Sequence, residues 1–322
     1  MNQNVKMVLG TMTFGESVFG SDVESIIRCY MEHGYNELDT AYVYNDGQCE
    51  LLIGEALKKI GRDKVRISTK VNPRITGRLD GDAARMQLNE SLARMGLDSV
   101  DVFYLHFPDP KTPVRSVLEA CAELHQQGKF KELGLSNFPA WLVADVYHQC
   151  KANGWVLPTV YEGIYNPLTR KAETELNDAL NYFGMRFYAY NPMAGGLLTG
   201  KYKHFEDAPE DGRFTHRPNY QKRYWKESFF RAVAMLTEVC EAEGITLINA
   251  VYRWLAFHSM LSGERGDAIL IGASKQNHLI QNMESVESGP LPEKVVAAFD
   301  TVWEQCRGES SDYFRFYGSD MN

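Results

Sequence analysis

The chain has 322 residues, of which 44% are hydrophobic and 24% charged, with a formal net charge of −8. That composition excludes disordered and fibrous classes, and a chain this long buries about 75% of its unfolded surface without needing staples. An acidic balance with no long basic run argues against nucleic-acid binding, although local positive charge can still hold an anionic ligand.

Taken in chain order, short apolar runs alternate with amphipathic ones. Met7–Leu9 reads as a strand and Asp22–His33 as a helix capped at Ser21 or Asp22. Next come a strand over Tyr35–Asp39 and a helix over Glu50–Ile60. Val65–Lys70 precedes a helix over Asp82–Met95, and Val100–His106 precedes Val114–Gln127. Lys131–Ser136 is followed by Ala140–Asn153, Pro158–Glu162 by Lys171–Phe183, and Arg186–Tyr190 by a long polar stretch to about Trp225. Helices over Glu227–Glu243 and Leu247–His258 precede the last strand, Ala268–Ile271, and two final helices over Gln276–Glu284 and Glu293–Arg307.

Eight strand–helix pairs can close on themselves, so the expected fold is an α/β (β/α)8 TIM barrel with an extra C-terminal helix and long loops at its C-terminal face. The rival, an open doubly wound sheet, is normally marked by a G-x-G-x-x-G turn, and no G-x-G occurs in the chain. Gly195–Lys201 fits the G-x-x-x-x-G-K pattern of a phosphate-binding loop. Tyr202, however, stands where Ser or Thr must hold magnesium, and the run follows the seventh strand rather than the first.

The six cysteines lie far apart, without C-x-x-C, and the eight histidines show neither H-x-H nor H-E-x-x-H. Reduced core cysteines and no metal site are expected. Neither an apolar export segment over Met1–Lys6 nor a run of about 18 apolar residues is present, so the reading is no membrane span and a cytoplasmic location.

In a barrel, chemistry gathers at the carboxyl ends of the strands. Asp39, Lys70 and His106 end the second, third and fourth, and Tyr44 follows the second. Singly, each has a dull explanation: a turn cap, an outward-reaching lysine, an interior histidine, a packed tyrosine. Three ionisable groups at successive strand ends are harder to assign to accident. A phenol has a reference pKa near 10, and an ammonium about 3.5 Å away at an effective dielectric near 20 favours its phenolate by roughly 4–5 kcal/mol before desolvation. Lys70 is therefore expected to make Tyr44 more acidic, with Asp39 keeping Lys70 charged. With His106 orienting a carbonyl oxygen, the set suits carbonyl reduction, provided that something else brings hydride.

At these residues the chain resembles the aldo-keto reductases, most of all the aflatoxin aldehyde reductase group. The likeness runs from Leu9-Gly10-Thr11-Met12 to Asp312-Tyr313-Phe314-Arg315. It is carried by Leu38–Ala41 with Tyr44, Ser68–Val71, Asp101–His106, Gly134–Phe138, Pro158–Tyr161 and Tyr188–Tyr202. The resemblance implies one barrel domain over residues 1–322 that binds NADPH/NADP+ across its mouth and reduces aldehydes, including semialdehydes, dialdehydes and aromatic aldehydes. It implies Tyr44 as proton donor, with Lys70, Asp39 and His106 as its catalytic partners. Ser136 and Asn137 would hold the nicotinamide carboxamide, and Tyr190 would lie in the strand whose ring stacks on the nicotinamide. The run Asn191–Lys201, including Met193, Gly195, Gly196, Leu197 and Gly200, would follow the pyrophosphate. Arg213, Ser274, Lys275, His278, Gln281 and Asn282 would surround the adenosine and its 2′-phosphate. Tyr220 and Arg315 would line the substrate side with His106, Arg315 suiting a carboxylate, against the plainer reading of a solvated loop and a frayed tail.

Two departures stand out. The family normally has glutamine where this chain has Glu162, and an ionised carboxylate accepts from a carboxamide NH₂ but cannot donate to its oxygen. It would also favour the positively charged oxidised nicotinamide. Phe14–Gly20 departs as well, which opens the question of substrate preference. The implied assembly is a homodimer acting on a small-molecule aldehyde. The alternative reading is a cofactor-binding β-subunit of the potassium-channel type.

Overall fold

An alternation of strand and helix organises the computed structural model, which describes residues 5–206 and 212–319. Residues 1–4, read above for an export segment, and 207–211, within the long polar stretch, lie outside that description. The strands are β1 (Lys6–Gly10), β2 (Glu37–Asp39), β3 (Arg66–Val71), β4 (Val100–Leu105), β5 (Phe130–Ser136), β6 (Pro158–Ile164), β7 (Arg186–Tyr190) and β8 (Ala268–Ile271). They pair in parallel in sequence order, and β1 pairs with β8 to close the barrel. The expected (β/α)8 architecture is therefore what the chain adopts.

The helices are α1 (Ser21–Glu32), α2 (Gln48–Ile60), α3 (Pro73–Thr76), α4 (Gly81–Met95), α5 (Val114–Gln126), α6 (Ala140–Asn153) and α7 (Leu176–Phe183). They continue as α8 (Arg213–His216), α9 (Pro218–Tyr224), α10 (Glu227–Ala242), α11 (Leu247–Phe257), α12 (Gln276–Ser285) and α13 (Glu293–Cys306). Three details differ from the sequence reading. The N-cap of α1 is Gly20, with no side-chain cap from Ser21 or Asp22. The helix expected over 171–183 is broken into a 3₁₀ turn at Lys171–Glu173 and α7, and at the break Glu175 accepts the hydroxyl of Tyr313 from the C-terminal tail. The long polar stretch holds α8 and α9, whose Phe214, Tyr220 and Tyr224 are buried.

Side chains alternate across a strand, so residues two apart share a face. One face of each strand packs on the helices in a continuous core. The other fills the barrel, where Val8, Val102, Tyr104, Val160, Tyr188, Ala268 and Leu270 form a separate apolar cluster. The same parity carries Lys70 onto the inner face of β3, Ser136 onto that of β5 and Glu162 onto that of β6. Tyr104 fits because its neighbour on β5 is Gly134, where a Cβ would stand 2.3 Å from the Tyr104 ring. The six cysteines are all buried and unpaired, as expected of a reduced core. Among the described residues no helix is long and apolar enough to cross a membrane.

Candidate active site

Above the apolar barrel filling lies a cavity of about 310 Å³ at the carboxyl ends of the strands. Asp39, Tyr44, His106, Ser136, Asn137, Glu162 and Tyr190 all line it. Lys70 sits just beneath, wholly buried. Its Nζ is 2.6 Å from both carboxylate oxygens of Asp39 and 2.9 Å from the carbonyl of Thr40. Ser68, in register with Asp39, donates to Asp39 Oδ1 at 2.6 Å. The amine lies 5.4 Å from the centre of the Tyr44 ring and 5.3 Å from that of Tyr104. The four groups, drawn from three successive strand ends, do meet at one rim.

Local backbone holds Tyr44 there. Asn45 and Asp46 adopt left-handed φ values of 49° and 54°, a conformation Asn and Asp tolerate better than most residues. Asn45 donates through Nδ2 to the carbonyls of Met12 and Phe14, each at 2.8 Å, which pins the loop after β2 to the loop after β1. Among the described residues the Tyr44 hydroxyl has no hydrogen-bond partner in the protein, and its ring meets His106 edge-on at 6.1 Å.

His106 is oriented by a residue that the sequence reading missed. Asn72 accepts the backbone N–H of Arg74 with Oδ1, so its Nδ2 is the atom facing His106 Nδ1 at 3.0 Å. That assigns Nδ1 as acceptor and leaves the proton on Nε2. Burial, then the charges of Lys70, Arg315 and Arg74, hold the imidazole well below its ordinary pKa, so it stays neutral at pH 7. The signal in the sequence was the Asn72-Pro73 pair, which marks a helix start and says nothing of the histidine across the barrel.

Electrostatics depart from expectation at Tyr44. Burial, then the charges of Asp39 and Glu162, hold its phenol well above the ordinary value. Burial is the larger cause, and stoichiometry adds to it: two inward carboxylates, Asp39 and Glu162, face one ammonium, with Glu162 Oε2 3.3 Å from Lys70 Nζ. Burial lowers the Lys70 pKa, but attraction to Asp39 and Glu162 more than offsets it, so the amine stays charged.

The remaining expected residues divide by position. Asn191, Met193, Gly195, Gly196, Arg213, Tyr220 and Arg315 border the cavity. Leu197 is buried in the core, whereas Gly200 and the exposed Lys201 lie beyond the cavity wall. Ser274, Lys275, His278 and Gln281 are exposed around the start of α12, with Asn282 buried behind them. The Gly195–Lys201 run forms a 3₁₀ turn over Ala194–Thr199 rather than a loop opening an α-helix, unlike a phosphate-binding loop. Arg74, Arg217 and Arg223 also line the mouth, unforeseen in the sequence. They come from loops and short helices that fold back over it, and no local pattern reveals that return.

The arrangement fits an extended anionic cofactor. Asn191 Nδ2 is a buried donor with no partner, and its residue lines the cavity. Gly196 has φ 107° with open space where a Cβ would stand, leaving room for close approach to its backbone. Asn137, at φ 62°, donates through Nδ2 to the His106 carbonyl and accepts the Tyr190 hydroxyl at 2.7 Å.

Asp39, Tyr44, Lys70 and His106 thus gather at the mouth of a closed parallel barrel. The family model described as Aldo/keto reductase family matches residues 6–304, and the chain belongs to that family, whose members use nicotinamide cofactors. It is 46% identical over 320 residues to aflatoxin B1 aldehyde reductase member 2 of Rattus norvegicus, covering 96% of this chain and 87% of that protein. It is 44% identical over 319 residues to aldo-keto reductase family 7 member A3 of Homo sapiens, covering 96% of each chain. Oxidoreductase sirO of Leptosphaeria maculans is 31% identical over 329 aligned positions, covering 95% of this chain and 96% of that one.

Proposed function

We propose that this chain reduces small aldehydes to alcohols with NADPH, favouring those that carry a carboxylate or a second carbonyl. What carries the reading is the convergence of Tyr44 and His106 on one cavity with the Lys70–Asp39 pair sealed behind them. When bound, the nicotinamide supplies hydride. His106 then presents Nε2–H to the carbonyl oxygen, fixing the substrate's orientation. Tyr44 keeps its proton at neutral pH and gives it up only to the alkoxide that forms, a far stronger base than a phenolate. Lys70, held by Asp39, steadies the negative charge left on the tyrosine.

Ser136, Asn137, Glu162 and Tyr190 would hold the nicotinamide, and the run from Asn191 to Lys201 the pyrophosphate. Arg213, Lys275 and His278, with Ser274, Gln281 and Asn282, would meet the adenosine 2′-phosphate, the basis for preferring NADPH over NADH. Tyr220 and Arg315 line the substrate side. Burial, with Arg223 and Arg74 nearby, lowers Arg315 to about 10, so it remains a cation at neutral pH and suits a substrate carboxylate. The likeness to an aldehyde reductase favours this reading over that of a channel subunit.

The test follows NADPH absorbance with a semialdehyde, a dialdehyde and 2-carboxybenzaldehyde. Tyr44→Phe should lower turnover by roughly 10²–10⁴-fold while leaving the NADPH Kd nearly unchanged. Undiminished turnover would remove Tyr44 from the role. A homodimer is the proposed assembly, read by size-exclusion chromatography.

A further inference from the structure

We propose that Glu162 stands in the mouth as an uncharged carboxylic acid that donates a hydrogen bond to the nicotinamide carboxamide oxygen, and that losing this proton turns the site from the reduced cofactor toward the oxidised one. The proposal rests on the nicotinamide reading above and deepens it.

The geometry begins with Lys70, whose ammonium has three N–H donors. Asp39 takes two, at 2.6 Å each, and the carbonyl of Thr40 takes the third at 2.9 Å. Asp39 also receives Ser68 at 2.6 Å. Nothing is left for Glu162. Its Oε2 lies 3.3 Å from Lys70 Nζ, unaligned for a hydrogen bond, and is a buried oxygen without a partner. A buried carboxylate with no donor is costly, and taking up a proton removes the cost. In that form Glu162 offers one O–H donor and one carbonyl acceptor, the same complement that a glutamine amide presents.

Groups facing Glu162 come from every neighbouring element: Asp39 of β2, Tyr44 after it, Lys70 of β3, Tyr104 of β4 and Tyr190 of β7. The three phenols are held above their ordinary range by burial and Lys70 is held charged, so none of these four changes form in mildly alkaline solution. Glu162 does: burial, then the Asp39 charge, push it up to about 8 against the pull of Lys70. Below that pH it is the donor described. Above it, the ionised group cannot donate to the carboxamide oxygen and instead attracts the cationic ring of the oxidised cofactor.

Calorimetric titration of the full chain with NADPH and with NADP+ between about pH 7 and about pH 9 tests this. The ratio of the two Kd values cancels the 2′-phosphate, whose titration is common to both cofactors. In the wild type, the preference for NADPH over NADP+ should fall by about tenfold across that range, and in Glu162→Gln it should stay level. Equal pH dependence in both proteins would overturn the proposal. Failure of either protein to bind NADPH at any pH would instead overturn the cofactor reading. The cofactor-free wild type supplies a measurement that needs no variant. Its infrared spectrum should carry a protonated-carboxyl band lost as the pH passes through about 8, and a band absent already at neutral pH would sink the idea.

Discussion

Glu132 and Glu162 stand on adjacent strands of one barrel, and their surroundings drive them in opposite directions. Glu132, at the lower end of β5, meets Arg66 at 2.8 Å, Arg186 at 2.6 Å and the Thr159 hydroxyl at 2.7 Å. Despite the upward effect of burial, those partners lower it from 4.5 to about 2. Glu162, at the mouth, has one cation nearby whose donors are already taken, and it rises from 4.5 to about 8. At Glu132 each carboxylate oxygen has its donor, while the mouth leaves Glu162 short. Ion pairs of the first kind hold strands together; a shortage of the second kind leaves a group free to do chemistry.

The largest effect that would break this contrast comes from Lys70→Met. It leaves Asp39 without its buried cation, and breaking such a pair costs about 3–5 kcal/mol, to be read from chemical unfolding. A loss below about 1 kcal/mol would mean that Asp39 does not depend on Lys70. Glu132→Gln is next. Losing charge-assisted hydrogen bonds at a half-buried site should cost about 1–2 kcal/mol and leave NADPH affinity untouched.

The acid limb sharpens the point. Glu132's stabilisation is present above its ordinary pKa of 4.5 and is lost as the pH falls toward about 2, so Glu132→Gln should flatten that decline in urea titrations. Glu162 runs the other way: its contribution is whole below 4.5 and is lost as the pH rises toward about 8. The smallest effect is expected from Lys131→Met, because its ion pair with Asp101 is 67% exposed on the lysine side. A loss above about 1 kcal/mol there would show that rim pairs matter more than solvent screening allows.

Much of this was legible in the sequence because strand periodicity is local. The strand ends placed Asp39, Lys70 and His106 at one mouth before any distance was known. What escaped was what depends on the far side of the barrel. The approach of Glu162 to Lys70, which adds to the effect of burial at Tyr44, spans β3 and β6 and has no local signature. Asn72 behind His106 escaped for the same reason. So did the break before α7, where the tail residue Tyr313 reaches back to Glu175 across 138 positions.

Gly134 has a reach out of proportion to its size. By leaving space where other residues have a carbon atom, it lets the Tyr104 ring lie flat against β5 beneath Lys70. The height of the amine, and through it the whole upper tier of charges, is thus levelled by a residue that touches none of them. Adding even a methyl group at that point would raise the floor on which the reaction is staged.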